Sequence, residues 1–194
     1  MKFAALPQKL LTLIEASKYV HIATCGNDGA PSVSLMNYIY VAPSVTYGSS
    51  TANDYIIFAM SESSDKFMNI LTNPTVSMLF HDWVAANNLS IRKHDINNSH
   101  SADAQSKRLA NLLDELDDAE LNQISATIQG EAELINPLGP ESKYYKGLLL
   151  HANPDADVFI EGSDTVLVKV RMLGAKVVDS DNHIITYGSM NSGA

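Results

Sequence analysis

Residues 19 to 41 constrain this chain more than any other stretch. Tyr19 to Cys25 is β-branched and aromatic, and it stops at Gly26-Asn27-Asp28-Gly29, a turn sequence that supplies residues able to adopt positive φ. Pro31 to Val41 then runs back, with Val33, Leu35, Asn37 and Ile39 on one face and Ser32, Ser34, Met36, Tyr38 and Tyr40 on the other. Two segments with period-two patterning around such a turn make a β-hairpin, so the chain opens an antiparallel sheet. Both faces of the second strand are mixed, which suits a strand with one side lining a site.

The remaining elements follow from the same reading. Apolar residues at Leu6, Leu10, Leu11, Leu13 and Ile14 predict a helix from Leu6 to Ala16, with Pro7 in its first turn. Tyr55 to Met60 reads as a buried strand, Asp65 to Thr72 as a short helix with Phe67, Ile70 and Leu71 on one face, and Thr75 to Phe80 as a strand. Gln123 to Ile135 is a long strand bent or bulged at Gly130, and Glu141 to His151 is helical. Thr165 to Val170, Ala175 to Val178 and Ile184 to Tyr187 are three short closing strands. Polar, Asn-rich residues from about 84 and an acidic helix from Ala104 to Ala119 together read as an exposed insertion at about 84–120. The expected architecture is mostly β, an antiparallel sheet closed into a small barrel, in one domain over residues 1–194.

Composition removes several classes of function. The 194 residues carry a net charge of −9, which argues against nucleic acid as a partner, since phosphate binding needs a cationic surface. No run approaches the roughly 20 apolar residues that span a bilayer, and the first residues lack a signal-peptide core. The reading is therefore intracellular and cytoplasmic, with the nucleus as a further compartment. The sequons at Asn88 and Asn97 are then chance matches. Cys25 is the only cysteine, so an intrachain disulfide and a Cys-rich metal site are excluded. None of the six histidines pair at ligand spacing, and no metal site is expected. Nucleophile elbows, Walker loops and dinucleotide fingerprints are absent from the sequence.

Chemistry concentrates between Phe58 and Pro74, where a strand runs through a Ser-rich turn into a helix start. Unpaired N–H groups and the helix dipole favour an anion there. Ser61, Ser63 and Ser64 add hydroxyls, and Lys66 adds a full charge. A plainer reading makes Ser63 or Ser64 an N-cap and Lys66 a solvated lysine. Glu62 and Asp65 would repel a phosphate unless they point away. Trp83 reads as an anchor for the insertion, and Asp114, Glu115, Asp117, Asp118 and Glu120 as a solvated helix face. Of Tyr144 and Tyr145, one is expected to pack inward.

The stretch resembles the pyridoxamine 5′-phosphate oxidase family, specifically its fungal relatives. The likeness runs through Ile22-Ala-Thr, Asn27-Asp-Gly-Ala-Pro31, the Lys66 helix with Asn73-Pro74, and Val76-Ser-Met-Leu-Phe80. It resumes at Gly130-Glu-Ala and Lys143-Tyr-Tyr145. The resemblance implies a six-stranded antiparallel split β-barrel that works as a homodimer, with FMN in grooves between subunits. It implies that Lys66, with Ser64 beside it, binds the FMN phosphate, that Ser34 and Met36 run along the isoalloxazine ring, and that Met60 and Ser61 line the groove. Ser125 would approach the flavin from the partner chain, and Arg171 would close the site.

Departures from the oxidase pattern bear on substrate. Asp65 and Ser34 stand where the oxidases carry arginines, Ile39 where a lysine grips the substrate phosphate, and Asn153 where a further arginine belongs. Each lost charged contact costs about 1.5–3 kcal/mol. The resemblance therefore implies an FMN-binding, oxidoreductase-like protein without pyridoxamine 5′-phosphate oxidase activity. The alternative is a non-catalytic flavin carrier, sensor or scaffold dimer. No residue stands out as a catalytic acid or base.

Overall fold

The structure, a computed structural model, describes residues 6–48, 53–81, 124–179 and 181–188. The insertion at about 84–120, with Trp83 and the acidic helix, lies outside the described residues. Eight strands form one antiparallel sheet: β1 (Val20–Cys25), β2 (Pro31–Met36), β3 (Tyr38–Val41), β4 (Tyr55–Ser61), β5 (Thr75–His81), β6 (Ser125–Leu134), β7 (Thr165–Val178) and β8 (Ile184–Gly188). Their order is β2-β1-β5-β6-β7-β4-β3, and β8 pairs with β7. Among the described residues four α-helices accompany them: α1 (Gln8–Ala16), α2 (Asp65–Thr72), α3 (Pro140–Ala152) and α4 (Asp157–Ile160).

The expected strand from Pro31 to Val41 is two strands. β2 pairs with β1, whereas β3 pairs with β4 at the other end of the sheet, and Asn37 alone separates them. Residues two apart in a chain are at most about 7 Å apart, so the two outer strands must approach each other and the sheet must curl into a barrel. Counting β2 and β3 as one bent strand gives the six-stranded split barrel the resemblance implied, extended by β8.

Two other differences concern the closing strands. Thr165 to Val178 is one strand, not two, and β6 pairs along it with a register shift between Gln129 and Gly130. Gln129 faces Gly174 and Gly130 faces Met172, so Leu173 is the extra residue of a bulge. Gly130 is required there: a Cβ on it would lie 2.4 Å from Val170 Cγ1 and 3.0 Å from the Arg171 carbonyl oxygen. The bend expected at Gly130 is present, and its extra residue sits on the partner strand.

Two hydrophobic clusters flank the barrel wall. Inside lie Val20, Ile22, Ile56, Phe58, Met60, Met78, Phe80, Ile128, Val168 and Val170, closed by Leu10 and Ile14 of α1. Outside β3, β4 and β7, a second cluster sets Ile39, Val41, Tyr55, Ile57 and Leu167 against Tyr145 and Leu149 of α3 and Ile160 of α4. β4 is covered on both faces, which is why Tyr55 to Met60 is apolar without alternation. On β2 and β5 the outward side chains Val33, Leu35 and Leu79 stay 64%, 55% and 38% exposed.

Candidate functional site

α2 is set against the barrel by its own polar residues. Ser64 is the N-cap: its Oγ accepts the Phe67 N–H at 3.4 Å and donates to the Ser61 carbonyl at 2.7 Å. Asn69 Nδ2 donates to Thr24 Oγ1 at 3.1 Å, and Asn73 Nδ2 to the Cys25 carbonyl at 3.1 Å, tying the helix to the end of β1. Ile70 packs into the core and Phe67 against it, while Leu71, expected on the same face, is 53% exposed. The helix start is thereby fixed beside the end of β4.

Between that helix start, the β2–β3 bend and α4 lies a groove of about 430 Å³, within the range of about 300–1,000 Å³ typical of small-molecule sites. Met36, Met60, Ser61, Ser64 and Lys66 all line it, so five of the eight residues singled out in the sequence converge on one cavity. Met36, half-buried, offers polarisable apolar surface, whereas Met60 is 3% exposed and borders the groove from the inner cluster. Lys66 is half-buried, and among the described residues it has neither a hydrogen-bond partner nor a counter-ion. Glu62 and Asp65 do not line the groove and are exposed.

The other three lie elsewhere on this chain. Ser34 faces the barrel interior, paired with Ile22, and does not line the groove. Arg171 pairs across the sheet with Glu131, with which it also forms an ion pair, at 43% and 50% exposure. Ser125 opens β6 opposite Val178, at the far end of β7 from Thr165. At about 3.3 Å per residue that is roughly 40 Å along the strand from the groove.

Asp164 was not anticipated. It lines the groove and its Oδ2 accepts from Ser61 Oγ at 2.5 Å and Ser63 Oγ at 3.5 Å. The Ser61 hydrogen bond holds its carboxyl below the usual range, so the groove contains a stable anion as well as a cation. Sequence offered no cue, because Asp164 lies 103 residues from Ser61 and meets it only through β4–β7 pairing of Ser61 with Thr165.

A second cleft, of about 660 Å³, adjoins the first and shares Leu35, Asn37 and Phe159 with it. Tyr38, Tyr40, Glu15 and Asp155 also line it. Tyr38 Oη donates to the carbonyls of Ile14 and Ser17, and burial pushes the phenol well above its ordinary range. Tyr40 Oη donates to Asp54 Oδ1 at 2.5 Å; burial and that carboxylate together keep it protonated. Neither is poised to titrate near neutrality. Asn153, at the cleft rim, donates from Nδ2 to the Tyr38 carbonyl at 3.2 Å and the Leu149 carbonyl at 3.0 Å, pinning the end of α3 to β3. Ile39 is 8% exposed within the second cluster.

Of the tyrosine pair, Tyr145 is fully buried and accepts the Tyr47 N–H, whereas Tyr144 is on the surface. In the β7–β8 turn, Asp179, Asp181 and His183 approach within 4.8 Å of one another. Asp179 Oδ1 accepts the N–H groups of the other two, so turn geometry accounts for the cluster. No helix among the described residues is long and apolar enough to cross a membrane.

Comparison with known proteins bears on the family and the fold. The family model described as pyridoxamine 5′-phosphate oxidase matches residues 6–149. A pyridoxamine 5′-phosphate oxidase homolog of Saccharomyces cerevisiae is 51% identical over 187 residues, covering 92% of this chain and 93% of that protein. A second homolog from the same yeast is 46% identical over 192 residues, covering 94% of each. Among solved structures, Campylobacter jejuni ChuZ superposes with a TM-score of 0.60 at 14% identity, over 97% of this chain and 61% of that one; this likeness concerns fold alone. The chain belongs to the pyridoxamine 5′-phosphate oxidase family, which binds flavin.

Proposed function

We propose that this member of the pyridoxamine 5′-phosphate oxidase family binds FMN in the Met36–Met60–Lys66 groove, as a homodimer, and acts as an oxidoreductase on a substrate other than a vitamin B6 phosphate. The observation that carries the reading is Lys66, a half-buried lysine without a counter-ion among the described residues that lines a ligand-sized groove. A lysine whose stem is partly buried and whose charge has no protein partner is free to meet an anion, and a nucleotide phosphate would supply one.

Lys66 would hold the phosphate, with the Ser61 hydroxyl and the α2 N-terminus beside it, while Met36 would bear on the ring and Met60 would back the groove from the barrel core. Bound flavin would supply the redox chemistry; the chain would position it and limit its contact with water. Val33 and Leu35, exposed beside the groove with Val158 and Phe159 at 78% and 71%, support a second subunit as the missing wall. On this reading Ser125 serves the partner's groove, Ser34 supports the ring-bearing strand from inside, and Arg171 closes the site from its ion pair with Glu131.

The substrate exclusion rests on two positions. Ile39 is packed in an apolar cluster, and the Asn153 amide is committed to two backbone carbonyls, so neither offers a charge to a second phosphate. A flavin carrier without turnover is the second reading. It is favoured by the lining, in which Lys66 and Asp164 are the ionisable side chains and no histidine appears.

The test is the absorbance spectrum of the purified chain with and without added FMN. A flavin spectrum that Lys66→Ala abolishes supports the site. A colourless protein that gains no thermal stability from FMN would overturn it, and a Soret band would assign the groove to haem. Anaerobic photoreduction followed by mixing with NADPH or oxygen separates the enzyme from the carrier.

A further inference from the structure

Hydroxyl donors beside Lys66 are already committed to a carboxylate. Asp164 is the residue before β7, and its backbone is anchored: the Glu62 N–H donates to its carbonyl at 2.8 Å. This places Oδ2 within 2.5 Å of Ser61 Oγ and 3.5 Å of Ser63 Oγ. Ser61 Oγ lies 2.7 Å from Ser63 Oγ and accepts the Ser63 N–H at 3.0 Å. The turn between β4 and α2 therefore closes on an internal anion.

We propose that Asp164 is a built-in competitor for the ligand's phosphate and sets how strongly the groove prefers a phosphorylated ligand to its dephosphorylated form. This rests on the flavin-nucleotide reading above and adds to it a residue that determines specificity. A serine hydroxyl has one proton to give. While Ser61 donates to Asp164 it cannot donate to a phosphate oxygen. A dianion entering the same space also meets a like charge, at distances where screening by salt is incomplete. For a phosphate to take the Ser61 hydroxyl, Asp164 must turn into solvent. That movement gives up the Ser61 hydrogen bond but little packing, since the carboxyl lies at the surface. Apolar contact of a ring with Met36 is untouched by it.

Asp164→Asn and Asp164→Ala separate the charge from the acceptor. Titrate the full chain and both variants with FMN and with riboflavin, following flavin fluorescence. Asp164→Ala, which removes charge and acceptor together, is expected to bind FMN about tenfold more tightly, the factor one charge-assisted hydrogen bond carries at its lower limit. Asp164→Asn, which removes the charge but keeps an oxygen that can accept from Ser61, should show a smaller gain. Riboflavin affinity should change by less than about twofold. The gain for FMN should shrink as salt is raised. If wild type binds FMN and neither variant binds it more tightly, or if riboflavin gains equally, Asp164 is not a phosphate competitor and the groove assignment stands. If neither wild type nor the variants bind FMN, the groove assignment itself fails and takes this inference with it.

Discussion

Met36 and Tyr38 lie two residues apart in the chain and at opposite ends of the sheet order, Met36 closing β2 and Tyr38 opening β3. Met36 pairs with Val20 and Tyr38 with Phe58. The bend at Asn37 thus brings the two outer strands together, and both clefts open around it. Barrel closure and the site share one cause.

Gly130 tests that closure from the opposite wall. Gly130→Ala puts a methyl group 2.4 Å from Val170 Cγ1 and 3.0 Å from a backbone oxygen, and the latter cannot swing aside. Overpacking of this kind costs about 1–3 kcal/mol. Urea unfolding should show a lower midpoint at unchanged slope.

Ser64 and Lys66 should separate stability from binding. The Ser64 hydroxyl is committed to Phe67 N–H and the Ser61 carbonyl, so Ser64→Ala should cost about 1 kcal/mol of stability. Lys66 has no such partner, and Lys66→Ala should leave the melting temperature of the ligand-free protein nearly unchanged while removing FMN binding. Calorimetric melting with and without FMN measures both.

These residues show how far local pattern reached. The hairpin, α2 and its cap, and the Gly130 bend depend on neighbours within a few residues, so their signals are in the sequence. The split at Asn37 is not, because side-chain alternation continues through it: Leu35 and Ile39 share a parity while belonging to strands paired with different partners. β7 read as two strands because Gly174 follows the bulged Leu173. Leu71 stands four residues after Phe67, at helical spacing, yet faces out, since an eight-residue helix packed on β1 buries a narrow stripe. Met36, Met60, Ser61, Ser64 and Lys66 were found because they sit on segments whose chemistry or family likeness is local. Asp164 was missed because its role is created by strand pairing across 103 residues.

Lys169 gives a pH prediction of definite sign. Its side chain is 13% exposed, 2.9 Å from Glu141 and 3.4 Å from Glu133. Burial works to lower its pKa, but the two carboxylates outweigh it and the net shift is upward from 10.5. A raised folded-state pKa contributes stability that is complete below the unfolded value and disappears as pH rises through the folded one. Lys169→Met should therefore destabilise the protein by about 1–2 kcal/mol at neutral pH, with the difference from wild type narrowing above about pH 10.5. Chemical denaturation at pH 7 and pH 11 checks it.

Val33 bears on the second subunit. It sits on β2, whose other edge pairs with nothing among the described residues, and its side chain points outward at 64% exposure beside Leu35 at 55%. Ser32 and Ser34 turn toward the barrel instead, so the strand presents its apolar side to solvent in a lone chain. An exposed position tolerates substitution within about 0.5 kcal/mol when nothing covers it. Val33→Glu should accordingly leave the unfolding of dilute protein unchanged. If a twofold mate packs there, the same change buries an unpaired carboxylate and should raise the dimer dissociation constant by at least about a hundredfold, a cost of about 3 kcal/mol. Sedimentation equilibrium of wild type and variant reads this directly. A wild-type chain that sediments as a monomer at tens of micromolar, with or without FMN, would leave the groove without its second wall and remove the shared-site reading.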